Sequence, residues 1–505
     1  MAVDSLPIPL TWILLAILPV LFYIYAVRPL QLFKKMGVPG PTPWPIIGNL
    51  LDHMKDGVWN IESQVKRRKK YGSVYGMYGG GLTAIFITDP EMLQDIFVKK
   101  FHSFTNRQPK DIHLRVKPVG RMLTQLVDED WKNVRSTISP AFSGGKLKQM
   151  AGAMNSCAGL LVENIGKFAD TGESFEVKEL TGAFTMDVIT RTAFGTQIDS
   201  QKNPDDPFVV YARRLIDRPI SIFALMFMFF PSLLVPCWRG SSTTFFYSVF
   251  DQLMELRQAE GQERVDFLQL MMNAHKEHDE TGEAKSHGHK QPLTKDDVVA
   301  NGILFFIAGY ETTATTMAFT LYNLALNQGK QDKLRQEITQ VMADREFVDN
   351  EDVHKMPYLE MCISETLRMY SPAAMTTRAS SEEVKLKWLT IPKDMLVAAP
   401  ILAIHYDPER WPEPYKFIPE RFTKEEKEKR GPYDWMPFGA GPRNCIGMRL
   451  ALFELKLGLA RLLMKYRVMT APDTDIPLKM KKFKKFPIPE NGIRLKVELV
   501  DSVTY

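Results

Sequence analysis

Cys445 sits in the run Phe438-Gly439-Ala440-Gly441-Pro442-Arg443-Asn444-Cys445-Ile446-Gly447, a glycine-rich loop that leads into an apolar, helix-like segment from Met448 to Leu463. A cysteine at a helix start faces backbone N–H groups, which lower a thiol's pKa and favour the thiolate. The glycines let the chain lie close under a flat ligand, and Arg443 offers a fork of donors to an anionic group on it. A lone cysteine is usually a small buried hydrophobe. The spacing of glycine, arginine and cysteine instead favours a socket for a flat, charged ligand.

A second chemical cluster, Ala308-Gly309-Tyr310-Glu311-Thr312-Thr313, lies in a mainly apolar pattern from Val298 to Leu326. Thr294 and Asp297 open that pattern as a capping box. An acid and two hydroxyls in a buried helix incur desolvation unless they are paired or hydrated. The Thr312 hydroxyl can bond back to the Ala308 carbonyl and bend the helix locally, while Ala308-Gly309 leaves room for a ligand against the backbone. Three further motifs are individually common: Glu365-Thr366-Leu367-Arg368, Pro419-Glu420-Arg421-Phe422, and Trp131 one turn before Arg135. An exposed i,i+3 ion pair stabilises by only about 0.2–0.5 kcal/mol, so spacing alone says little about the first.

The cysteine loop matches Phe-x-x-Gly-x-Arg-x-Cys-x-Gly in full, and with the other motifs, in this order, the chain resembles the cytochrome P450 superfamily over about residues 30 to 500. The resemblance implies a mainly α fold with small β-sheets, in which haem lies between a long central helix and the cysteine loop. It implies haem b with Cys445 as the axial ligand of the iron. Thr312 then bonds bound dioxygen, and Glu311 supplies protons through water. Trp131, Arg135 and Arg443 face the haem propionates, with Arg107 and Arg378 as further candidates, and Phe438 and Ala308 lie against the ring. Glu365, Arg368 and Arg421 form a buried network. Trp435-Met436-Pro437-Phe438, Cys445-Ile446-Gly447-Met448-Arg449, Ser139-Pro140-Ala141-Phe142 and Gly145-Lys146-Leu147-Lys148 resemble the family 3 microsomal enzymes, broad-substrate drug and steroid oxidases.

These motifs need a large core to hold them, and 505 residues that are 45% hydrophobic and 24% charged supply one. No linker or repeat interrupts the chain after residue 45, so a single catalytic domain is expected over residues 46–505. Cys157, Cys237, Cys362 and Cys445 lie far apart without C-x-x-C spacing, which suits a reducing compartment. Residues 1–29 form an anchor: Leu10 to Val27 is uncharged, and 18 residues rising 1.5 Å each give about 27 Å, near the roughly 30 Å of a hydrocarbon core. A cleaved signal peptide is the rival, but no basic start and no small-x-small site are present. Arg28, Lys34 and Lys35 leave the catalytic domain on the cytosolic face, at the endoplasmic reticulum in a eukaryotic cell. Residues 30–45, rich in proline from Pro39 to Pro45, form a stiff hinge.

Elsewhere, Ser73–Tyr78 and Leu82–Ile87 around three glycines predict a hairpin, and Leu386 to Ile404 predicts further strands. The polar stretch His275–Pro292, despite His278, His287 and His289, reads as a loop and not a metal site. Pro219 to Pro236 is uncharged and aromatic-rich. By position it resembles the roof that admits lipophilic compounds, with a second membrane span as the rival. Phe305, Phe306, Ala373, Ala374 and Met375 are expected pocket walls for a lipophilic substrate. Net charge +5 and pI ≈ 8.7 are mildly basic, so nucleic acid is not an expected partner. Lys132, Lys146, Lys148, Arg449 and Lys456 suggest a docking face for an acidic donor. The resemblance names NADPH–cytochrome P450 reductase, with cytochrome b5 as a further partner, and membrane lipid and O2 complete the set. The chain has no dinucleotide fingerprint, so NADPH serves indirectly. Two other functions fit the same sequence: a same-fold isomerase or dehydratase of oxidised lipids, and a non-catalytic haem-binding sensor.

Overall fold

A computed structural model describes residues 10–500 apart from 58–59, 80–81, 110–118, 218–240, 262–263, 265, 280–291, 344, 483 and 485. The Pro219–Pro236 roof and most of the histidine-bearing loop therefore lie outside the described residues. Among the described residues no group of His, Cys, Asp and Glu is arranged to hold a metal ion by itself.

The long helix begins where its capping box demands. Thr294 N–H donates to Asp297 Oδ2 at 2.9 Å and Asp297 N–H donates to Thr294 Oγ1 at 3.1 Å, and the helix then runs Lys295–Leu326, buried along most of its length. Helix Val177–Phe194 packs along it closely enough for side chains of one to reach the backbone of the other. Thr185 Oγ1 donates to Tyr310 O at 2.9 Å and Thr181 Oγ1 to Ala314 O at 3.2 Å. A Cβ on Gly309 would stand 2.8 Å from Ile189 Cδ1. Gly309 thus makes room for a neighbouring helix, not for a ligand as expected. Helices Pro357–Met369 and Met448–Lys465 pack against the same long helix and complete a mainly α core.

The sheets are small. The expected hairpin forms as Val74–Gly79 antiparallel to Leu82–Ile87, and the sheet continues through Leu396–Pro400 to Met375–Ala379. A second sheet joins Phe175–Glu176, Arg494–Leu499 and Tyr466–Thr470. The strands expected across Leu386 to Ile404 stop at Pro400, because Ile401–His405 is helical. A short apolar run is ambiguous between strand and helix by periodicity.

At the N-terminus the chain is helical from Leu10 through Lys35, with a π turn at Tyr23–Val27 and a 3-10 turn at Arg28–Gln31. Ile17–Lys35 is long and apolar enough to cross a membrane. The end of this helix and the proline-rich stretch that follows are fastened to the sheet: Phe33 N–H donates to Tyr78 Oη at 2.9 Å and Gly76 N–H to Pro39 O at 2.8 Å.

A buried ion network centres on Pro357–Met369. Arg368 donates through Nε and Nη2 to the two oxygens of Glu365 at 2.7 and 2.9 Å, and Arg421 Nε adds a third bond at 3.2 Å. Arg368 Nη1 also holds His405 O at 2.8 Å. The sequence reading did not single out His405, which is fully buried. Its Nδ1 lies 3.1 Å from Arg368 O, and its Nε2 accepts the Met436 N–H at 3.0 Å. The ring is therefore neutral, donating at Nδ1 and accepting at Nε2. It joins the ion network to the segment that enters the cysteine loop.

Glu365→Ala leaves two buried cations without their carboxylate and is expected to destabilise the fold by about 3–5 kcal/mol, measured by denaturant unfolding. An unchanged midpoint would contradict the network. Burial, then the Arg368 charge, push His405 from 6.5 down to about 3. The unfolded chain therefore binds a proton that the folded one refuses. This stabilisation is complete above the unfolded value and is lost as pH falls toward the folded one. Replacing His405 with Gln should flatten the dependence of unfolding free energy on pH between about 6 and 4 by about 1.4 kcal/mol per unit.

Candidate active site

A cavity of about 400 Å³ opens between the long helix and the cysteine loop. The helix contributes Leu304, Phe305, Ile307, Ala308, Thr312, Thr313 and Thr316, and the loop contributes Pro437, Phe438, Gly439, Arg443, Asn444, Cys445 and Ile446. The loop is held in shape by its own backbone: Cys445 N–H donates to Phe438 O at 2.8 Å, and Gly439 and Gly441 both turn with φ +71°. At Gly441 any side chain is excluded, since a Cβ would lie 1.9 Å from Phe97 O. Cys445 opens onto the cavity. Burial pushes its thiol pKa up and outweighs the Gly447 N–H bond and the Arg135 and Arg107 charges, which pull it down. The loop alone therefore does not make the expected low-pKa thiol. A coordinated cation would, because a thiol on a metal is deprotonated outright.

Around the sulfur stand arginines with too few partners. Arg443 Nη2 donates to Leu126 O at 2.8 Å and its guanidinium lies 4.2 Å from the Trp131 ring centre, but its Nε and Nη1 have no partner. Arg107 Nη2 holds Arg443 O at 3.1 Å and leaves its buried Nε unbonded. Arg135 holds Asn444 through O and Oδ1 at 3.0 and 3.2 Å. Burial, then Arg107 and Arg135, push Arg443 down to about 9. Such convergence of one buried and two half-buried cations calls for an anion. A thiol beside a cavity, unpartnered guanidinium donors on its wall and an indole one helical turn from Arg135 fit a flat iron-bearing ring with carboxylate arms, which is haem. Arg443, Arg107, Arg135 and Trp131 all line the cavity. Arg378 does not; it is buried behind the loop, donating to Ala440 O at 3.3 Å, and burial and the charges of Arg107 and Arg443 hold its pKa well below the usual value.

On the helix, Thr312 Oγ1 donates to Ala308 O at 2.7 Å, the back-bond expected from sequence, and both residues line the cavity. Glu311 faces elsewhere. It is buried outside the cavity lining, in an ion pair with Lys178 of the neighbouring helix, and accepts Thr315 Oγ1 at 3.3 Å.

Of the expected pocket walls, Phe305, Ala373 and Met375 line the cavity. Phe306 does not: it turns to Phe208 and Phe246, with ring centres 4.7 and 5.3 Å away. Ala374 points away too, packing with Leu402. Neighbours on a helix diverge by about a hundred degrees, so Phe305 and Phe306 could not both face inward. Thr313 of the Ala308–Thr313 cluster lines the cavity, as do Thr316, Ile401 and Phe486, which escaped the sequence reading. Lys456 leaves the suggested docking face, being buried against Glu360 at 2.9 Å. A surface cleft of about 440 Å³ at Pro357, Glu360 and Lys427 has no cysteine and no unpartnered guanidinium.

A family model described as Cytochrome P450 matches residues 38–497. The chain is similar to cytochrome P450 3A6 of Oryctolagus cuniculus, 39% identical with 98% of each chain covered. It is likewise similar to cytochrome P450 3A7 of Homo sapiens, 39% identical over 97% of each, and to cytochrome P450 3A13 of Mus musculus, 38% identical over 96% of each. A cavity whose lining fits a haem and matches of this extent agree: the chain belongs to the cytochrome P450 family of haem monooxygenases.

Proposed function

We propose that this protein is a membrane-anchored haem-thiolate monooxygenase that inserts one atom of dioxygen into lipophilic substrates, reducing the other to water with electrons from NADPH through a reductase. The observation that carries it is the cavity wall itself, where Cys445, Arg443, whose buried guanidinium has donors left unpartnered, and Thr312 border one space. Cys445 holds the iron, Arg443, Arg107, Arg135 and Trp131 hold the propionates, and Phe438 and Ala308 bound the ring. Haem, when bound, supplies the activation of dioxygen.

The remaining chemistry belongs to side chains of the chain. The Thr312 proton lies on Ala308 O, so its oxygen presents lone pairs to the cavity, and rotation about the Cβ–Oγ bond turns the proton inward. Glu311 is the acid nearest to this hydroxyl along the helix. Leaving Lys178, which is 19% exposed, it relays protons from the surface side of the helix. Phe305, Ala373 and Met375 exclude water and take the apolar part of the substrate. The apolar N-terminal helix supports residues 1–29 as an anchor, with 30–45 a hinge and 46–505 the catalytic domain. Arg28, Lys34 and Lys35 favour the cytosolic face of the endoplasmic reticulum. NADPH–cytochrome P450 reductase, with cytochrome b5, is the fitting donor, docking where Lys132, Lys146, Lys148 and Arg449 are displayed.

Turnover of a lipophile panel under labelled dioxygen, with reductase and NADPH, tests the reading: one labelled oxygen atom should enter the product. Product formed without NADPH would support an isomerase, and no turnover at all a sensor. Thr312→Ala should retain haem while product formed per NADPH falls at least about tenfold and peroxide rises. Unchanged coupling would remove Thr312 from the proton path.

A further inference from the structure

Asn301 is fully buried, on the face of the long helix that meets residues 121–124. Both ends of its amide are spent on backbone. Oδ1 accepts the Leu123 N–H at 2.8 Å, while Nδ2 donates to Asp297 O at 2.7 Å and to Arg121 O at 3.2 Å. A second tie lies one turn back along the helix, where Asp297 Oδ1 accepts Arg121 Nε at 2.7 Å. Asp297 is the acid of the capping box, so one carboxylate both starts the long helix and grips the arginine. Arg121 Nη1 also holds Asp130 Oδ2 at 2.7 Å, in the first turn of the helix Asp128–Ile138 that carries Trp131 and Arg135.

The segment held in this way is a wall of the cavity. Leu123 and Thr124 line it, as does Leu304, one turn beyond Asn301 on the same helix. Asn301 itself does not belong to the lining. The segment is pinned again at its far end, where Leu126 O accepts Arg443 Nη2 at 2.8 Å. Between the two pins it closes on itself: the N–H groups of Gln125 and Leu126 both donate to Met122 O, at 2.8 and 3.0 Å. The amide of Asn301 therefore fixes how far a closed turn stands from the helix. Removing that amide leaves the buried Leu123 N–H without its acceptor, and the turn regains a partner by moving outward to water.

We propose that Asn301 is a positioning residue for substrate specificity: by clamping the backbone of Arg121 and Leu123 it sets the width of the cavity between Leu123 and Leu304, with the Arg121–Asp297 pair as an outer tie. The proposal rests on the monooxygenase reading of the cavity and adds to it what decides the breadth of the substrate. The clamp keeps the wall close and favours slim lipophiles over bulky ones. A wall that withdraws takes apolar contact from a slim ligand and relieves crowding of a bulky one, so the two affinities move in opposite directions. General loosening of the fold would weaken both.

The test compares the unaltered full-length, haem-loaded protein with Asn301→Leu, which keeps the side-chain volume and deletes its polar ends, and with Arg121→Gln. Phenylimidazole and clotrimazole, a slim and a bulky nitrogen donor, are titrated by the change in haem absorption. The affinity for clotrimazole relative to phenylimidazole should rise about tenfold in Asn301→Leu and about threefold in Arg121→Gln. Deuterium uptake at the Leu123 amide should rise in Asn301→Leu while amides within 131–138 keep their protection. An unchanged ratio, or equal weakening of both ligands, in Asn301→Leu would overturn the proposal. If that variant takes up no haem, Arg121→Gln decides, and an unchanged ratio there overturns it. An unaltered protein that takes up no haem would overturn the monooxygenase reading and this proposal with it, whereas an unchanged ratio in haem-loaded variants would overturn this proposal alone.

Discussion

Buried positive charge around one thiol is the constraint on which the rest of this structure depends. Arg107, Arg135 and Arg443 line the cavity, Arg378 stands behind it, and no carboxylate shares the described lining. Each guanidinium also clamps backbone: Arg443 on Leu126, Arg107 on Arg443, Arg135 on Asn444 and Arg378 on Ala440. The position of Cys445 is thus set by the same cations that need an anion. Haem held here would complete the site, since its carboxylate arms would relieve the repulsion and its iron would supply the charge that the thiol lacks.

The ion network around Glu365 is linked to this loop mechanically. Arg368 binds Glu365 and His405 O, His405 binds Met436, and Met436 lies two residues before Phe438, whose carbonyl receives the Cys445 N–H. A fully buried histidine costs less here than it would alone because both ring nitrogens are engaged. In this chain the arginine of a common helical pair does more than stabilise its own helix. It transmits the position of Pro357–Met369 to the far side of the cavity.

The sequence made the local chemistry legible and left direction unread. The capping box at Thr294 and the Thr312 back-bond depend on a few adjacent residues, and both stand as expected. So does the hairpin from Val74 to Ile87. Which way Gly309, Phe306, Glu311 and Ala374 face depends on helices and strands distant in sequence. Ile189, Phe246, Lys178 and Leu402 decide it. His405 was missed because a single histidine in a short apolar run carries no local signature.

Glu311 illustrates how such orientation bears on mechanism. A carboxylate on the inner face of the helix would border the cavity, whereas one paired with Lys178 is held toward its neighbouring helix. The central claim is more basic than this, namely that Cys445 acts as thiolate on a haem held by the arginine cluster. The reduced, carbon-monoxide-bound absorption spectrum of the purified full-length protein measures it most directly. The account predicts the strongly red-shifted Soret band of thiolate-ligated haem; a band of the histidine or neutral-thiol type in freshly prepared protein would contradict it.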